Sequence, residues 1–107
     1  MFIYRPSRFA PLTQCSVSLD GRWLHDIPVQ GYETVLVAPG EHTLVTRWHG
    51  AAAAHLSFAA QAGRNYFFKI GIDREQIDQG TVTLSQEEES TGQGEVRALS
   101  RVPKLVR

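Results

Sequence analysis

The stretch "CSVSLDGRWLHDI", residues 15–27, decides how this chain folds. Asp20-Gly21 sits in its middle, between two runs containing apolar and β-branched residues. A two-residue hairpin loop of type I′ needs positive φ at both central positions, and Asp-Gly is one of the few pairs that accepts this. The stretch therefore reads as strand, tight turn, strand.

Moving outward, turn signals recur at short intervals: Pro6, Pro11, Pro28, Gly31, Pro39-Gly40, Gly50, Gly63, Gly80, Gly92 and Gly94. Short runs rich in Val, Ile, Phe, Tyr, Trp and Thr lie between them. They are "FIYR" (2–5), "YETVLVA" (32–38), "HTLVTRW" (42–48), "HLSFAAQ" (55–61), "NYFFKIGI" (65–72), "TVTLS" (81–85) and "EVRALSRV" (95–102). Regular strand-sized runs with turn residues between them predict a sandwich or barrel. Period-two alternation places His42, Leu44, Thr46 and Trp48 on one face, and Tyr66, Phe68, Ile70 and Ile72 on another. "GAAAAHLSFAA" (50–60) has a helical alternative, since Ala is the best helix former. The short span between Gly50 and Gly63, and the alternation of Leu56 with Phe58, favour a strand. "IDREQIDQG" (72–80) reads as a loop or a single helical turn. "QEEESTGQG" (86–94) reads as an exposed hairpin tip with solvated carboxylates. Pro39-Gly40, between "TVLV" and "HTLV", has the residues of a type II turn.

The 107 residues make one domain, 1–107. Apolar residues are 42% and charged residues 21%, and the 11 basic side chains equal the 11 acidic ones. A neutral domain lacks the positive field that drives nonspecific nucleic-acid binding, so no nucleic-acid partner is expected. The single Cys15 excludes an internal disulfide and a cysteine-based zinc cluster. No apolar run is long enough to span a membrane, and no signal peptide is visible in "MFIYRPSR".

The order of "YRPSR", "VSLDGRWLHDIPVQGYETVLVAPGEHTL" and "AGRNYFFKI" resembles the bacterial family catalogued as domain of unknown function 2846. Its middle is also similar to the "PGxHxL" hairpin of PEGA-type envelope domains. The resemblance covers roughly residues 2–73. It implies a small β-sandwich of a kind often found in exported proteins and lipoproteins of the bacterial envelope, with no established catalytic residues. Periplasm or cell envelope is the location it implies, or cytoplasm if no signal segment was removed. A membrane would be reached only through a lipid anchor absent from this chain.

The candidate chemistry is sparse. His25, His42, His49 and His55 invite a metal, with Glu41 or Asp26 as further ligands, but the nearest pair, His49 and His55, is separated by a Gly-Ala loop. Surface histidines are the simpler reading, and no metal or cofactor is expected. Cys15 with a histidine would be a hydrolase's nucleophile and base, yet no glycine-framed elbow surrounds it. Arg5, Arg8, Arg101, Lys104 and Arg107 would form a basic patch if the two ends of the chain meet, facing the acidic tip at Glu87–Glu89. Trp23, Tyr32 and Trp48 are either core residues or contact aromatics, with Trp23 the better contact candidate beside its turn.

The expectation is an all-β protein: a single antiparallel β-sandwich of about seven to eight strands, immunoglobulin-like or transthyretin-like. Its role is that of a non-catalytic binding or assembly module of the bacterial envelope. The expected contact surface is drawn from Trp23, Tyr32, Arg5, Arg8 and His42, and the expected partner is another protein or an envelope component. The chain itself is expected to be a monomer or a weak homodimer. The alternative is a carbohydrate or small-ligand module using exposed aromatics, and a small hydrolase is third.

Overall fold

The computed structural model describes residues 1–6, 15–48, 53–73 and 81–101. The turn predicted at Asp20-Gly21 forms, with φ of 51° and 82° at its two residues. It joins β2 (Cys15–Leu19) to β3 (Arg22–Ile27), pairing Leu19 with Arg22. The other strands are β1 (Phe2–Arg5), β4 (Gly31–Thr34), β5 (Gly40–Arg47), β6 (Ala54–Ala60), β7 (Phe67–Asp73), β8 (Thr81–Glu87) and the two-residue β9 (Ser100–Arg101). One helix, α1 (Glu89–Val96), lies between β8 and β9.

The strands form two sheets, in the orders β8-β7-β1-β4-β9 and β3-β2-β5-β6. Their inner faces meet in a core of Ile3, Val17, Ile27, Leu44, Phe58, Phe68, Ile70 and Val82. The Phe58 and Phe68 rings join the two sheets across this core, tilted by 49° with centroids 4.6 Å apart. The sandwich is thus the expected one. Two of its pairings, β1 with β7 and β4 with β9, are parallel, whereas a wholly antiparallel sandwich was expected.

The central strands explain the parallel pair. β1 and β7 are buried on both faces, and doubly buried strands read as nearly continuous apolar runs. Ile3 and Phe68 face the other sheet, while Tyr4 and Phe67 face outward into a second cluster capped by Val96 of α1. Phe2 stacks on Phe67 there, 4.6 Å between centroids and 3° from parallel.

Helix α1 corrects the reading of 86–94 as a hairpin tip and takes the first two residues of the run 95–102, whose strand is confined to Ser100–Arg101. Its residues are poor helix formers: Gly92 and Gly94 each cost about 1 kcal/mol relative to alanine, and its N-cap has no side-chain hydrogen bond. Tertiary contacts outweigh this. Burying Val96 contributes roughly 1.5–3 kcal/mol. Glu95 accepts a hydrogen bond from the Tyr4 hydroxyl at 3.0 Å and pairs with Lys69 Nζ at 3.0 Å. Burial, then the Glu95 carboxylate, pushes the Tyr4 phenol far above its ordinary range.

The third run also ends sooner than predicted, since β4 stops at Thr34 and 35–38 belong to no strand. β4 and β5 lie in different sheets, so Pro39-Gly40 turns a corner between layers. Gly40 there has φ of 122°. The strand favoured over a helix in 50–60 forms as β6. Of the loop or helical turn read at 72–80, Ile72 and Asp73 belong to β7 instead, and 74–80 lie outside the described residues.

Gly92 lies so close to the sheet that a Cβ there would sit 2.3–2.6 Å from Phe67 atoms, whereas one on Gly94 would meet nothing within 4 Å. Gly92→Ala should therefore destabilise the protein by about 1–3 kcal/mol, as overpacking does. Gly94→Ala should stabilise it by up to about 1 kcal/mol through helix propensity. Urea unfolding of both variants tests the opposite signs.

Candidate functional site

Of the expected contact residues, Arg5 is a correction. It has no exposed surface, and its Nη1 donates to the Ile27 carbonyl at 3.1 Å. Arg5 ends β1 in one sheet and Ile27 ends β3 in the other, so the guanidinium ties the layers together at this end. Strand alternation sets this orientation: Ile3 faces the inner core, and Arg5, two residues on, shares its side. It therefore belongs to no surface patch. Arg101 is exposed and donates from Nη2 to Thr34 Oγ1 at 3.0 Å. Arg8, His49, Lys104 and Arg107 lie outside the described residues. Tyr32 is half-buried in the cluster around Tyr4 and Phe67, 6.4 Å from the Phe2 ring.

His42 is tied on both ring nitrogens. Nδ1 lies 2.6 Å from Asp20 Oδ2, and Nε2 lies 2.6 Å from the Ala38 carbonyl oxygen. An ionised carboxylate and a carbonyl only accept, so both ring nitrogens donate and the imidazole is the cation. Asp20 Oδ1 also accepts from the Thr43 backbone N–H at 2.8 Å. One ion pair thus fastens the β2–β3 turn, the start of β5 and the inter-sheet corner. With no lone pair left, His42 is neither a base nor a metal ligand while these bonds hold.

Cys15 is fully buried in the inner core. Burial pushes its thiol up, and the Arg5 charge offsets part of this. An attacking thiolate needs the reverse, an exposed position and a lowered pKa. His49 of the proposed metal set lies outside the described residues, and the rest of the set does not converge. His55 faces Val45, four residues along β5 from Glu41, and Asp26 lies three strands away on β3. Among the described residues, no three His, Cys, Asp or Glu side chains are grouped as metal ligands.

Trp23 is 49% exposed. A bulge in β3 shifts its register between Val17 and Ser18, so that Trp23 pairs with Ser18 and Asp26 with Ser16. Ser16 and Ser18 are two apart on β2, which puts Trp23 and Asp26 on one face despite their spacing of three. There the indole Nε1 donates to Asp26 Oδ1 at 3.1 Å, and the ring lies 6.0 Å from that of His25. This is the outer face of the four-stranded sheet. Across it runs Trp23–Ser18–Val45–His55, beside Asp26–Ser16–Arg47 and the pair Thr43–Ser57. The first row spans about 14 Å at ordinary strand spacing. The helix packs on the other sheet, and the Thr43 and Ser57 hydroxyls lie 3.1 Å apart.

Away from this face, a groove of about 530 Å³ is lined by Gly63, Arg64, Asn65, Tyr66 and Gln86–Glu89. The Glu87–Glu89 run marked it in the sequence, although as a solvated tip and without Arg64 or Asn65. The role of Asp20 also escaped the sequence reading, which saw only a turn residue. Leu36, fully exposed at the inter-sheet corner, is another residue it did not single out.

The Asp20–His42 pair gives the protein a defined pH window. The His42 pKa is raised above 6.5, first by the Asp20 carboxylate and then by the Ala38 carbonyl. Its contribution is complete below 6.5 and is lost as pH rises through the raised value. The Asp20 pKa is lowered from 3.8, chiefly by the hydrogen bond to His42. Its contribution is complete above that value and is lost as pH falls through the lowered one. Thermal unfolding followed from acid to alkaline pH should show a plateau between these limits. His42→Ala should flatten its alkaline side, and a limb left intact in that variant would refute the assignment.

No curated protein and no solved structure matches this chain. The family described as Protein of unknown function (DUF2846) matches residues 1–88, which run from β1 to the end of β8 and stop before α1. With most of its length matched, the chain belongs to the DUF2846 family.

Proposed function

We propose that this chain is a non-catalytic binding or assembly module of the bacterial cell envelope, and that it makes contact through the outer face of its four-stranded sheet. Support for the envelope comes from the likeness to exported envelope domains. Support for the surface rests on one observation: a half-exposed indole, oriented by Asp26, at the edge of a sheet face whose middle carries Ser16, Ser18, Thr43 and Ser57. Exposed Trp with a fixed rotamer loses little entropy on binding, which is why such residues dominate interfaces. His42 and Cys15, the best candidate reagents in the sequence, serve the fold instead.

The hydroxyls of Ser16, Ser18, Thr43 and Ser57 beside the indole favour a second reading, in which the partner is a glycan. A sugar ring sets its C–H groups against an aromatic face and its hydroxyls against hydrogen-bonding side chains. This face offers both, and an uncharged polyol fits its neutral centre.

Intrinsic fluorescence separates the two readings, because Trp23 is exposed and Trp48 packs against the core. The protein is titrated with soluble envelope glycan fragments and, separately, with solubilised envelope proteins. One arm should give saturable binding. Trp23→Ala should weaken it by about 2 kcal/mol, roughly thirtyfold, as loss of a hot-spot aromatic does. A folded Trp23→Ala protein that binds as tightly as the wild type would remove this face from the function.

A further inference from the structure

We propose that two copies of this chain pair edge to edge through β6, antiparallel about a two-fold axis at Ser57, extending the four-stranded sheet to eight strands. This goes beyond the binding role above and does not depend on it, since Trp23 lies on the opposite edge strand.

The two sheets have four edge strands, β3, β6, β8 and β9. An edge strand offers unpaired N–H and C=O groups, and folded proteins guard such edges with bulges, charges, proline or shortness. β3 has the bulge and carries Arg22 and Asp26. β9 has only two residues. β8 ends in Glu87, followed by Glu88 and Glu89. β6 has none of these devices. Its sequence, Ala-His-Leu-Ser-Phe-Ala-Ala, holds no Lys, Arg, Asp, Glu or Pro. It pairs with β5 in unbroken register from Gly40–Ala60 to Thr46–Ala54, so the strand is regular over its whole length. Among the described residues, nothing hydrogen-bonds its far side.

The occupant is read from the strand itself. A two-fold axis at Ser57 sets Leu56 against Phe58 of the partner subunit and Ala54 against Ala60 of the partner subunit. Leu56, Phe58 and Ala60 belong to the inner core, so these contacts continue the core from one copy into the next. On the outer face, His55 meets Ala59 of the partner subunit and Ser57 meets Ser57 of the partner subunit. On the inner face each apolar side chain lies opposite an apolar one, and no Lys, Arg, Asp or Glu is brought together on either face. A strand from another protein would have to supply the same alternation, and the chain's own β6 already does.

The register makes a sharp test, because residue 57 faces itself. Sedimentation velocity across a concentration series should show the 11.9 kDa chain converting to a species of twice that mass. Ser57→Lys and Ser57→Glu should each remain monomeric, with circular dichroism and thermal midpoint close to wild type. Mixed in equal amounts, they should recover the dimer, since Lys then faces Glu. A wild-type chain that stays monomeric at every concentration overturns the proposal. So does a dimer unaffected by either substitution, or a mixture that fails to reassociate. A monomer that still binds through Trp23 would sink the pairing alone and leave the proposed function standing.

Discussion

Burial of both faces of β1 and β7 is the constraint from which the rest of the architecture follows. A strand with apolar side chains on both sides cannot sit at an edge or face water. Ile3 and Phe68 require a second sheet on one side, while Tyr4 and Phe67 require cover on the other. α1 supplies that cover, held by Val96 and by Glu95, which receives the Tyr4 hydroxyl and pairs with Lys69. The four-stranded sheet is under no such demand. In β5 and β6, buried positions such as Leu44, Thr46, Phe58 and Ala60 alternate with more exposed ones, so one layer suffices. Among the described residues one sheet is therefore clad and the other bare, and the bare face carries Trp23.

This asymmetry also explains what the sequence disclosed. The Asp20-Gly21 turn, the alternation in "HTLVTRW" and the inner face of "NYFFKIGI" rest on local chemistry, and each formed where it was read. Helix α1 was illegible because its stability is not local. Its two glycines argue against a helix, and one of them is there because the Phe67 ring occupies the space a side chain would need. Alternation puts Phe67 on the face opposite Phe68, but it cannot show that both faces are covered. Arg5 misled for a related reason. Composition places arginine at the surface, yet its partner is a carbonyl of the other sheet, 22 residues away in sequence.

The histidine of "PGEH" shows how a motif that looks reactive can be structural. Pro39-Gly40 bends the chain so that the Ala38 carbonyl returns to Nε2, and the Asp-Gly turn brings a carboxylate to Nδ1. The aspartate that permits positive φ is also the counter-ion, so one residue type serves both turn geometry and charge. An asparagine there would keep the turn and lose the ion pair. Part of the candidate site was therefore legible. Trp23 stood out beside its turn, but its orientation depends on a bulge that no sequence period reveals, and its hydroxyl neighbours come from three other strands.

The bare face and the unguarded β6 edge belong to the same sheet, at opposite ends, and together they bear on what a dimer would present. In an eight-stranded sheet the two Trp23 strands would be separated by seven strand spacings, about 34 Å. Adjacent strands rotate by roughly 20–25° relative to one another. Each Trp23 strand lies three and a half spacings from the two-fold axis, so each indole face would tilt roughly 70–90° from that axis, in opposite senses. Such faces diverge and do not form one continuous platform. A dimer of this geometry gains little by gripping one flat ligand with both faces, because avidity requires both sites to reach it at once. It is better suited to joining two separate ligands, as a connector within an assembly does.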